Sequence, residues 1–217
     1  PHKEDSSVPK EKVQVGVAKA LIQKRKEGLP IISVTSDLPG STGVANFRKE
    51  FPECSIDVGI AEANMVSVAA GLSKEGFIPV VDTFAQFGVT KGALPMIMAS
   101  LSEAPIIAVF SHAGFQDAAD GASHQALSYF AMTHAIPHVD VYCLTSSEEA
   151  DVLLSKALDQ FAEKRRQGET PRSQIFFLGR ENFPHRFLPE ESSYQLGKAQ
   201  ILLDNTESFA QAITIAA

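Results

Sequence analysis

The sequence predicts an α/β fold of three layers, α/β/α, in which helices cover both faces of a mostly parallel sheet of about six strands. Short runs of apolar and β-branched residues alternate along the chain with longer segments of helical periodicity. The short runs are apolar throughout, which is typical of strands that are buried on both faces of a sheet. The chain has 217 residues, of which 44% are hydrophobic and 21% charged, and this is the composition of an ordinary globular domain.

The predicted strands are six apolar runs, at residues 30–37, 54–60, 77–84, 104–112, 138–145 and 173–180. Helices are predicted between them at residues 61–75, 91–102 and 125–134, and from Ser146 or Ser147 to about residue 167. The last helix has a serine as its N-cap, acidic residues in its first turn and a basic cluster at its end. All three features suit the helix dipole, so the basic cluster is interpreted as a helix terminus.

Charge and cysteine content exclude several classes of protein. The net charge of −7 leaves no broad basic face for nucleic acid and is a poor match to an anionic membrane. No apolar run reaches about 18 residues, so no transmembrane helix is expected. Two widely separated cysteines favour a reducing, cytoplasmic setting. His112 and His124 are too far apart for the usual spacing of metal ligands, and we expect no metal ligand in this chain.

Polar residues occur where the predicted strands end. They include Asp37, Glu62, Asp82, His112 and Arg180. In open parallel sheets, ligands bind beyond the carboxyl ends of the strands. The sequence therefore predicts a binding site at this edge of the sheet.

Glu62 lies in a segment that is otherwise apolar, from Val58 to Leu72, and we predict that this segment is buried throughout. A glutamate is rarely buried unless another group pairs with it. One interpretation is a structural glutamate in the first turn of a helix, where its charge suits the dipole. The other interpretation is a functional carboxylate whose partner is a ligand.

Four stretches resemble, in order, the pyrimidine-binding domain of transketolases. They read "SDLPGST", "DVGIAEANMVSVAAGLSKEGFIPVVDTFAQF", "SHAGFQDAADGASHQAL" and "LGREN". The likeness covers roughly Lys12 to Arg180. Deoxyxylulose phosphate synthases and the beta subunits of 2-oxo acid dehydrogenases share the glutamate motif, but the stretch "ADGASHQ" favours transketolase among these thiamine enzymes. A non-catalytic interaction module of the same fold is a further alternative.

The resemblance implies that four side chains bind thiamine pyrophosphate and that two, Glu62 and His124, are catalytic. In this family the glutamate that matches Glu62 hydrogen-bonds a ring nitrogen of the aminopyrimidine, and Phe84 and Phe87 match aromatic residues that pack on that ring. Asp37 matches an aspartate close to the cofactor. His124 matches a histidine near the reacting carbon, where an imidazole can transfer protons at neutral pH. Without the motif, a single phenylalanine at these positions would be equally consistent with a structural role, and a single histidine would more often be structural.

The resemblance also implies sugar phosphates as substrates and the transfer of a two-carbon ketol unit between them. Ser41, His112 and Arg180 match residues that contact the phosphate, and the planar fork of arginine suits this task. Asp120 matches the residue that recognises a substrate hydroxyl next to the carbonyl. A module without catalysis has no need of Glu62, His124, Asp120 and Arg180 together, so their joint presence argues against that alternative.

The predicted domain organisation is a linker remnant at residues 1–11, the pyrimidine-binding domain at residues 12–182, and a linker toward a further domain at residues 183–217. The family binds the diphosphate and a divalent metal such as Mg²⁺ on another domain, whose GDG motif has no match in this sequence. The resemblance therefore implies a homodimeric enzyme in which the diphosphate-binding domain comes from the partner subunit. We expect this chain to supply half of a site.

Overall fold

The computed structural model describes residues 9–198 and has at its centre a six-stranded sheet in which all neighbouring strands are parallel. The strands along the chain are β1 (Lys10–Lys12), β2 (Ile31–Thr35), β3 (Ser55–Asp57), β4 (Ile78–Phe84), β5 (Ile107–Ser111), β6 (Val139–Leu144), β7 (Ser173–Leu178) and β8 (Asn182–Pro184). The order in the main sheet is β3-β2-β4-β5-β7-β6, while β1 and β8 form a separate antiparallel pair. Each of the six predicted strands contains one strand of the main sheet.

Helices cover both faces of the sheet. They are α1 (Gln14–Lys26), α2 (Pro39–Thr42), α3 (Ala45–Glu50), α4 (Glu62–Lys74), α5 (Ala85–Lys91), α6 (Ala93–Leu101), α7 (Tyr129–His134) and α8 (Ser147–Arg166). One hydrophobic core lies between the sheet and α1, α3 and α8, and a second lies between the opposite face and α4 to α7. The predicted three-layer α/β/α fold is confirmed.

The helices after β4 differ in two respects from the prediction. The helix predicted at residues 91–102 is α6, and a separate helix that was not predicted, α5, precedes it and ends at Lys91. The helix predicted at residues 125–134 is helical only from Tyr129, because the backbone at Ala126 instead pairs with the loop after β5 and its carbonyl accepts the N–H of Gly114 at 3.0 Å. A long-range contact therefore overrides the local helical pattern.

The features predicted for the longest helix are present. Ser146 is the N-cap of α8, and its Oγ accepts the backbone N–H of Glu149 at 3.2 Å. Glu148 and Glu149 lie in the first turn, and the basic cluster Lys164–Arg166 lies in the last turn. The basic cluster thus suits the helix dipole, as predicted from the sequence.

The small sheet joins the two ends of the described region. β1 pairs with β8 so that Lys12 faces Asn182. The chain then continues along α8, where Tyr194 is buried and its carbonyl accepts Lys156 Nζ at 2.5 Å. The division into residues 1–11, 12–182 and 183–217 stays a prediction, and residues 1–8 and 199–217 lie outside the part of the chain that the structure describes.

Gly16 marks the closest approach of α1 to α8, because a Cβ atom at this position would lie 1.8 Å from the backbone oxygen of Ser147. We expect Gly16→Ala to lower the free energy of unfolding by about 1–3 kcal/mol or more, since a backbone atom yields less easily than a flexible side chain. Gly71, inside α4, is the matched control because a Cβ there would meet no atom within 4 Å. Gly71→Ala is expected to stabilise the chain by about 0.5–1 kcal/mol through helix propensity. Urea unfolding of both variants checks this packing, and equal stabilities would contradict it.

Candidate active site

All nine candidate site residues lie beyond the carboxyl ends of strands in the main sheet. They are Asp37 and Ser41 after β2, Glu62 after β3, Phe84 and Phe87 at and after the end of β4, His112, Asp120 and His124 after β5, and Arg180 after β7. Because the strands are parallel, their carboxyl ends form one edge of the sheet. This is the edge where parallel sheets bind ligands.

Two phenylalanines and two histidines form an aromatic cluster at this edge. The rings of Phe84 and Phe87 are nearly parallel, with centroids 6.2 Å apart and an angle of 24°. The His112 ring lies 3.9 Å from that of Phe84, and the His124 ring meets Phe87 edge-on at 5.0 Å. The structure thus brings together four residues that are separate in the sequence. The cluster offers apolar ring faces beside imidazole nitrogens that can exchange protons.

His112 and Phe84 are the buried members of this cluster. His112 follows β5 with a backbone φ of 60°, and its Nδ1 lies 2.9 Å from Ser111 Oγ. Burial lowers the pKa of His112, while Asp117 raises it and Arg180 lowers it further. The ring is therefore neutral near pH 7. A neutral imidazole can donate a single hydrogen bond to an anion without adding charge.

Glu62 begins α4, and only 4% of its surface is exposed. No hydrogen bond or ion pair to its carboxylate is found within residues 9–198. The segment around it is less buried than predicted, because Ile60 is 81% exposed and the chain turns outward before the helix starts. Glu62 is buried as a residue, but its carboxylate oxygens keep contact with solvent, so the carboxylate is open to a donor from outside the described residues.

A hydrogen-bond network connects the Asp37 turn to the residues that precede α4. Ser36 Oγ donates to the carbonyl of Gly59 at 2.8 Å and accepts the N–H of Ala61 at 3.0 Å. Asp57 Oδ1 accepts the N–H of Asp37 at 3.2 Å and that of Gly59 at 3.0 Å. Asp37 itself is exposed and has a φ of 62°, a conformation that aspartate tolerates better than most residues. The network fixes the positions of the two turns relative to each other.

Arg180 lies beside a carboxylate that the sequence analysis did not identify. Its Nε is 3.6 Å from Oδ1 of Asp117, whose side chain is fully buried, whereas 32% of the Arg180 side chain is exposed. Gln116 Oε1 accepts the backbone N–H of Arg180 at 2.7 Å. Nη1 of the guanidinium lies 3.9 Å from Oε1 of the exposed Glu181, and part of the group remains available to an anion from solvent. The sequence signal for Asp117 was a second acidic residue in the loop "FQDAAD".

Ser41 and Asp120 are exposed, as is Asp37. Asp120 acts on the pKa of His112 together with Asp117 and Arg180, so these charges share one region of the edge. Ser41 lies on α2, on the other side of the β4 end, and none of the described contacts joins it to this group. The edge therefore has a charged region near His112 and a separate turn that carries Ser41.

Other candidate chemistry is weaker in the described part of the chain. Within residues 9–198, no three His, Cys, Asp or Glu side chains are placed so that they could hold a metal ion. Cys54 and Cys143 are free, and burial raises the pKa of Cys143 to about 11, so that this thiol is protonated at neutral pH. None of the described helices combines the length and apolar character that a membrane span requires.

Comparison with known proteins places the chain in a family. Residues 12–170 match the family described as transketolase, pyrimidine binding domain. The chain is 30% identical over 195 residues to a putative transketolase C-terminal section from Methanocaldococcus jannaschii, a match that covers 88% of this chain and 58% of that protein. It is 33% identical over 143 residues to 1-deoxy-D-xylulose-5-phosphate synthase from Dictyoglomus thermophilum, covering 65% of this chain and 23% of that enzyme.

A solved structure agrees with this grouping. The chain resembles a split gene transketolase described as an inactive beta4 tetramer, with a TM-score of 0.71 and 28% identity over 89% of this chain and 59% of that one. The chain thus spans less than two thirds of the length of these relatives. The family match extends over well more than half of its own residues. The chain belongs to the transketolase pyrimidine-binding domain family.

Proposed function

We propose that this chain supplies the aminopyrimidine half of a thiamine pyrophosphate site in a transketolase, which transfers a two-carbon ketol unit between sugar phosphates. The observation that carries the proposal is Glu62, a buried residue whose carboxylate has no partner among residues 9–198, at the same sheet edge as the aromatic cluster. Thiamine pyrophosphate, when bound, supplies the reactive carbon at which carbon–carbon bonds are broken and made. The protein supplies orientation and electrostatics.

The residues at the edge fit an aminopyrimidine in chemical character. A flat heteroaromatic ring requires apolar faces above and below and polar groups at its rim. Phe84 and Phe87 provide nearly parallel ring faces, and Glu62 provides an acceptor that no described residue occupies. In this proposal Glu62 holds a proton at a ring nitrogen. Glu62 is a largely buried residue, and the lower dielectric around it strengthens such a hydrogen bond.

Two further residues act on the reacting groups in this proposal. His124, half-buried and in edge contact with Phe87, moves protons to and from the substrate. Asp37, in the turn after β2, lies against the cofactor. The hydrogen bonds through Ser36 and Asp57 hold that turn in a fixed position relative to the start of α4.

The substrate lies in the charged region near His112 in this proposal. Arg180 binds the phosphate with the exposed part of its guanidinium, and His112 donates a neutral hydrogen bond. Asp120 accepts from a substrate hydroxyl, and Ser41 contacts the phosphate from the α2 turn. The buried carboxylate of Asp117 orients Arg180 through its Nε.

The chain works with partners in this proposal. The diphosphate and its divalent metal, such as Mg²⁺, are held by a diphosphate-binding domain outside this chain, and two copies form a homodimer. The apolar face of α6 supports such contacts, since Leu94, Met98 and Leu101 are spaced along one side of the helix and each is more than half exposed. We place the assembly in the cytoplasm, in agreement with the two free cysteines.

Reconstitution tests the proposal. The 217-residue chain, with Mg²⁺ and thiamine pyrophosphate, is expected to show no ketol transfer by itself. Addition of the diphosphate-binding subunit is expected to give transfer from a ketose phosphate to an aldose phosphate, measured with a coupled assay. Turnover by the chain alone would contradict the proposed half-site.

The synthase relatives define the second candidate, because the identity of one of them to this chain, 33%, is similar to the 30% of the transketolase relative. A deoxyxylulose phosphate synthase condenses pyruvate with an aldose phosphate. The same reconstituted assembly is therefore assayed with pyruvate. Activity with pyruvate and none with a ketose phosphate donor would replace transketolase by the synthase, and inactivity with both would favour the non-catalytic module.

A further inference from the structure

Asp82 is a buried carboxylate that the proposed mechanism does not use. It lies within β4, and none of its surface is exposed. Its Oδ2 accepts hydrogen bonds from Thr35 Oγ1 at 2.7 Å and from Thr42 Oγ1 at 2.6 Å. Its Oδ1 is buried and has no partner within residues 9–198. Burial of a carboxyl group is costly unless hydrogen bonds compensate it, and here two threonine hydroxyls supply them to Oδ2.

The two donors belong to different parts of the fold. Thr35 ends β2, which is adjacent to β4 in the sheet, so its hydrogen bond stays within the sheet. Thr42 is the last residue of α2, the single turn that carries Ser41 and follows Asp37. In the described part of the chain, no other hydrogen bond joins α2 to a strand of the sheet. The Thr42–Asp82 contact therefore anchors the turn.

We propose that Asp82 is a positioning residue, which anchors the α2 turn to the sheet and thereby holds Asp37 and Ser41 at the edge of the candidate site. The roles of Asp37 and Ser41 toward ligands rest on the proposed function. The anchoring itself rests only on the hydrogen bonds and the burial of Asp82.

The anchor depends on pH. Burial raises the pKa of Asp82 to about 7, although its two hydrogen bonds and a nearby cation act in the opposite direction. The groups that face it from the surrounding elements are Thr42 on α2, Thr35 on β2, Arg48 on α3, Asp57 on β3 and the apolar Val109 on β5. Arg48 is the nearby cation, and Asp57 raises the pKa further.

The direction of the pH effect follows from linkage. α2 packs over β4, so release of α2 brings water to the carboxylate and returns its pKa toward the ordinary range. A carboxyl whose pKa is higher in the closed form stabilises that form at low pH, and this contribution is lost as the pH rises through about 7. We therefore expect the turn to be held firmly at pH 6 and more loosely at pH 8.

Amide hydrogen exchange of the full chain, followed in residues 37–43, tests the anchor. Thr42→Val removes the hydrogen bond between α2 and Asp82, together with the contact of the same hydroxyl to the carbonyl of Leu38 at 3.0 Å. Asp82→Ala leaves the Leu38 contact in place and is expected to accelerate exchange as Thr42→Val does. Thr35→Val is the matched control that removes the hydrogen bond within the sheet. Loss of one such hydrogen bond corresponds to about tenfold faster exchange. We expect this acceleration in Thr42→Val, none in Thr35→Val, and parent-like exchange in Thr42→Ser, which restores the hydroxyl. Equal acceleration in Thr42→Val and Thr35→Val, or no acceleration in either, would overturn the proposal.

Asp82→Asn tests the pH dependence in the same experiment. After correction for the intrinsic chemistry of exchange, the parent is expected to exchange about tenfold faster at pH 8 than at pH 6 in residues 37–43. Asp82→Asn keeps an acceptor oxygen and carries no charge, so its corrected rate is expected to stay constant. A pH dependence that persists in Asp82→Asn would show that another group is responsible and would overturn the role of Asp82.

A kinetic measurement separates this inference from the proposed function. In the reconstituted assembly, Thr42→Val is expected to raise KM for the sugar phosphate several-fold at unchanged kcat, while Thr35→Val leaves both unchanged. If Thr42→Val accelerates exchange without a change in KM, the anchor stands and the substrate role of Ser41 is refuted. If exchange is unchanged, the anchor is refuted, whatever the activity.

Discussion

Glu62→Gln is expected to slow ketol transfer by the reconstituted assembly by about 10²–10⁴-fold, the usual contribution of an acid–base group. A 10²-fold loss corresponds to about 2.7 kcal/mol of barrier. Glutamine keeps the size of the side chain and can still form a hydrogen bond, but it is unable to share a proton with the ring nitrogen. The loss is therefore expected in kcat, measured with saturating cofactor, with little change in the free energy of unfolding.

The control substitution is at the opposite end of α4 from Glu62. Glu75 is the exposed C-cap residue of α4, and Glu75→Gln is expected to leave kcat unchanged. If Glu62 serves only the helix dipole, Glu62→Gln costs about 0.3–1 kcal/mol of stability and leaves the rate almost unaltered. A small loss of stability with a normal rate would thus support the structural interpretation of Glu62 and contradict ours.

Arg180→Gln is expected to raise KM for phosphorylated substrates by about 10–100-fold, because a hydrogen bond to a charged group contributes about 1.5–3 kcal/mol. An acceptor aldehyde that lacks the phosphate is expected to react as well with the variant as with the parent. Steady-state kinetics with the two acceptors measure this difference. Since the substitution leaves the buried Asp117 without a cation, unfolding is measured in parallel.

Arg172 is the matched arginine, since it precedes β7 and Arg180 follows the same strand. Arg172 is paired with Asp140, Nε to Oδ1, at 2.7 Å at the other end of the sheet. Arg172→Gln is expected to leave KM unchanged for both acceptors. An equal rise in KM for the phosphorylated and the unphosphorylated acceptor in Arg180→Gln would mean that Arg180 supports the fold of the site and does not bind the phosphate.

The inner strands of the main sheet could be predicted from the sequence because a strand buried on both faces has a local signature, a continuous apolar run. β4 shows this most clearly, since all seven of its residues are buried. The edge strands β3 and β6 are only partly buried, although their sequences are also apolar runs. α1 lacked such a signature, and we did not predict it. Its buried face contains Gly16, Ala20, Gln14 and Lys24 alongside Val17 and Leu21, so no apolar stripe marks the helix. Its packing depends on the close approach to α8, which is a property of two distant segments.

The candidate site could be predicted where an acidic, basic or imidazole side chain follows the end of a strand, as for Glu62, His112 and Arg180. Its supporting residues were not. Asp117 is identified only when the fold places it beside Arg180, which is 63 positions away by residue number. Asp82 was noted as a polar residue at a strand end, but its burial and its contact with Thr42 depend on how α2 folds back over the sheet. Whether a polar group is buried depends on the tertiary fold, so it cannot be predicted from the neighbouring residues in the sequence.

The central claim is that Glu62 acts on the aminopyrimidine of thiamine pyrophosphate. The most direct measurement is the rate of hydrogen–deuterium exchange at the reactive carbon of the bound cofactor, followed by NMR after rapid quenching. In the assembly reconstituted with parent chain, exchange is expected to be fast, and with Glu62→Gln it is expected to slow by about 10²-fold or more. Exchange that is equally fast with the parent chain and with Glu62→Gln would contradict the account and remove Glu62 from the mechanism.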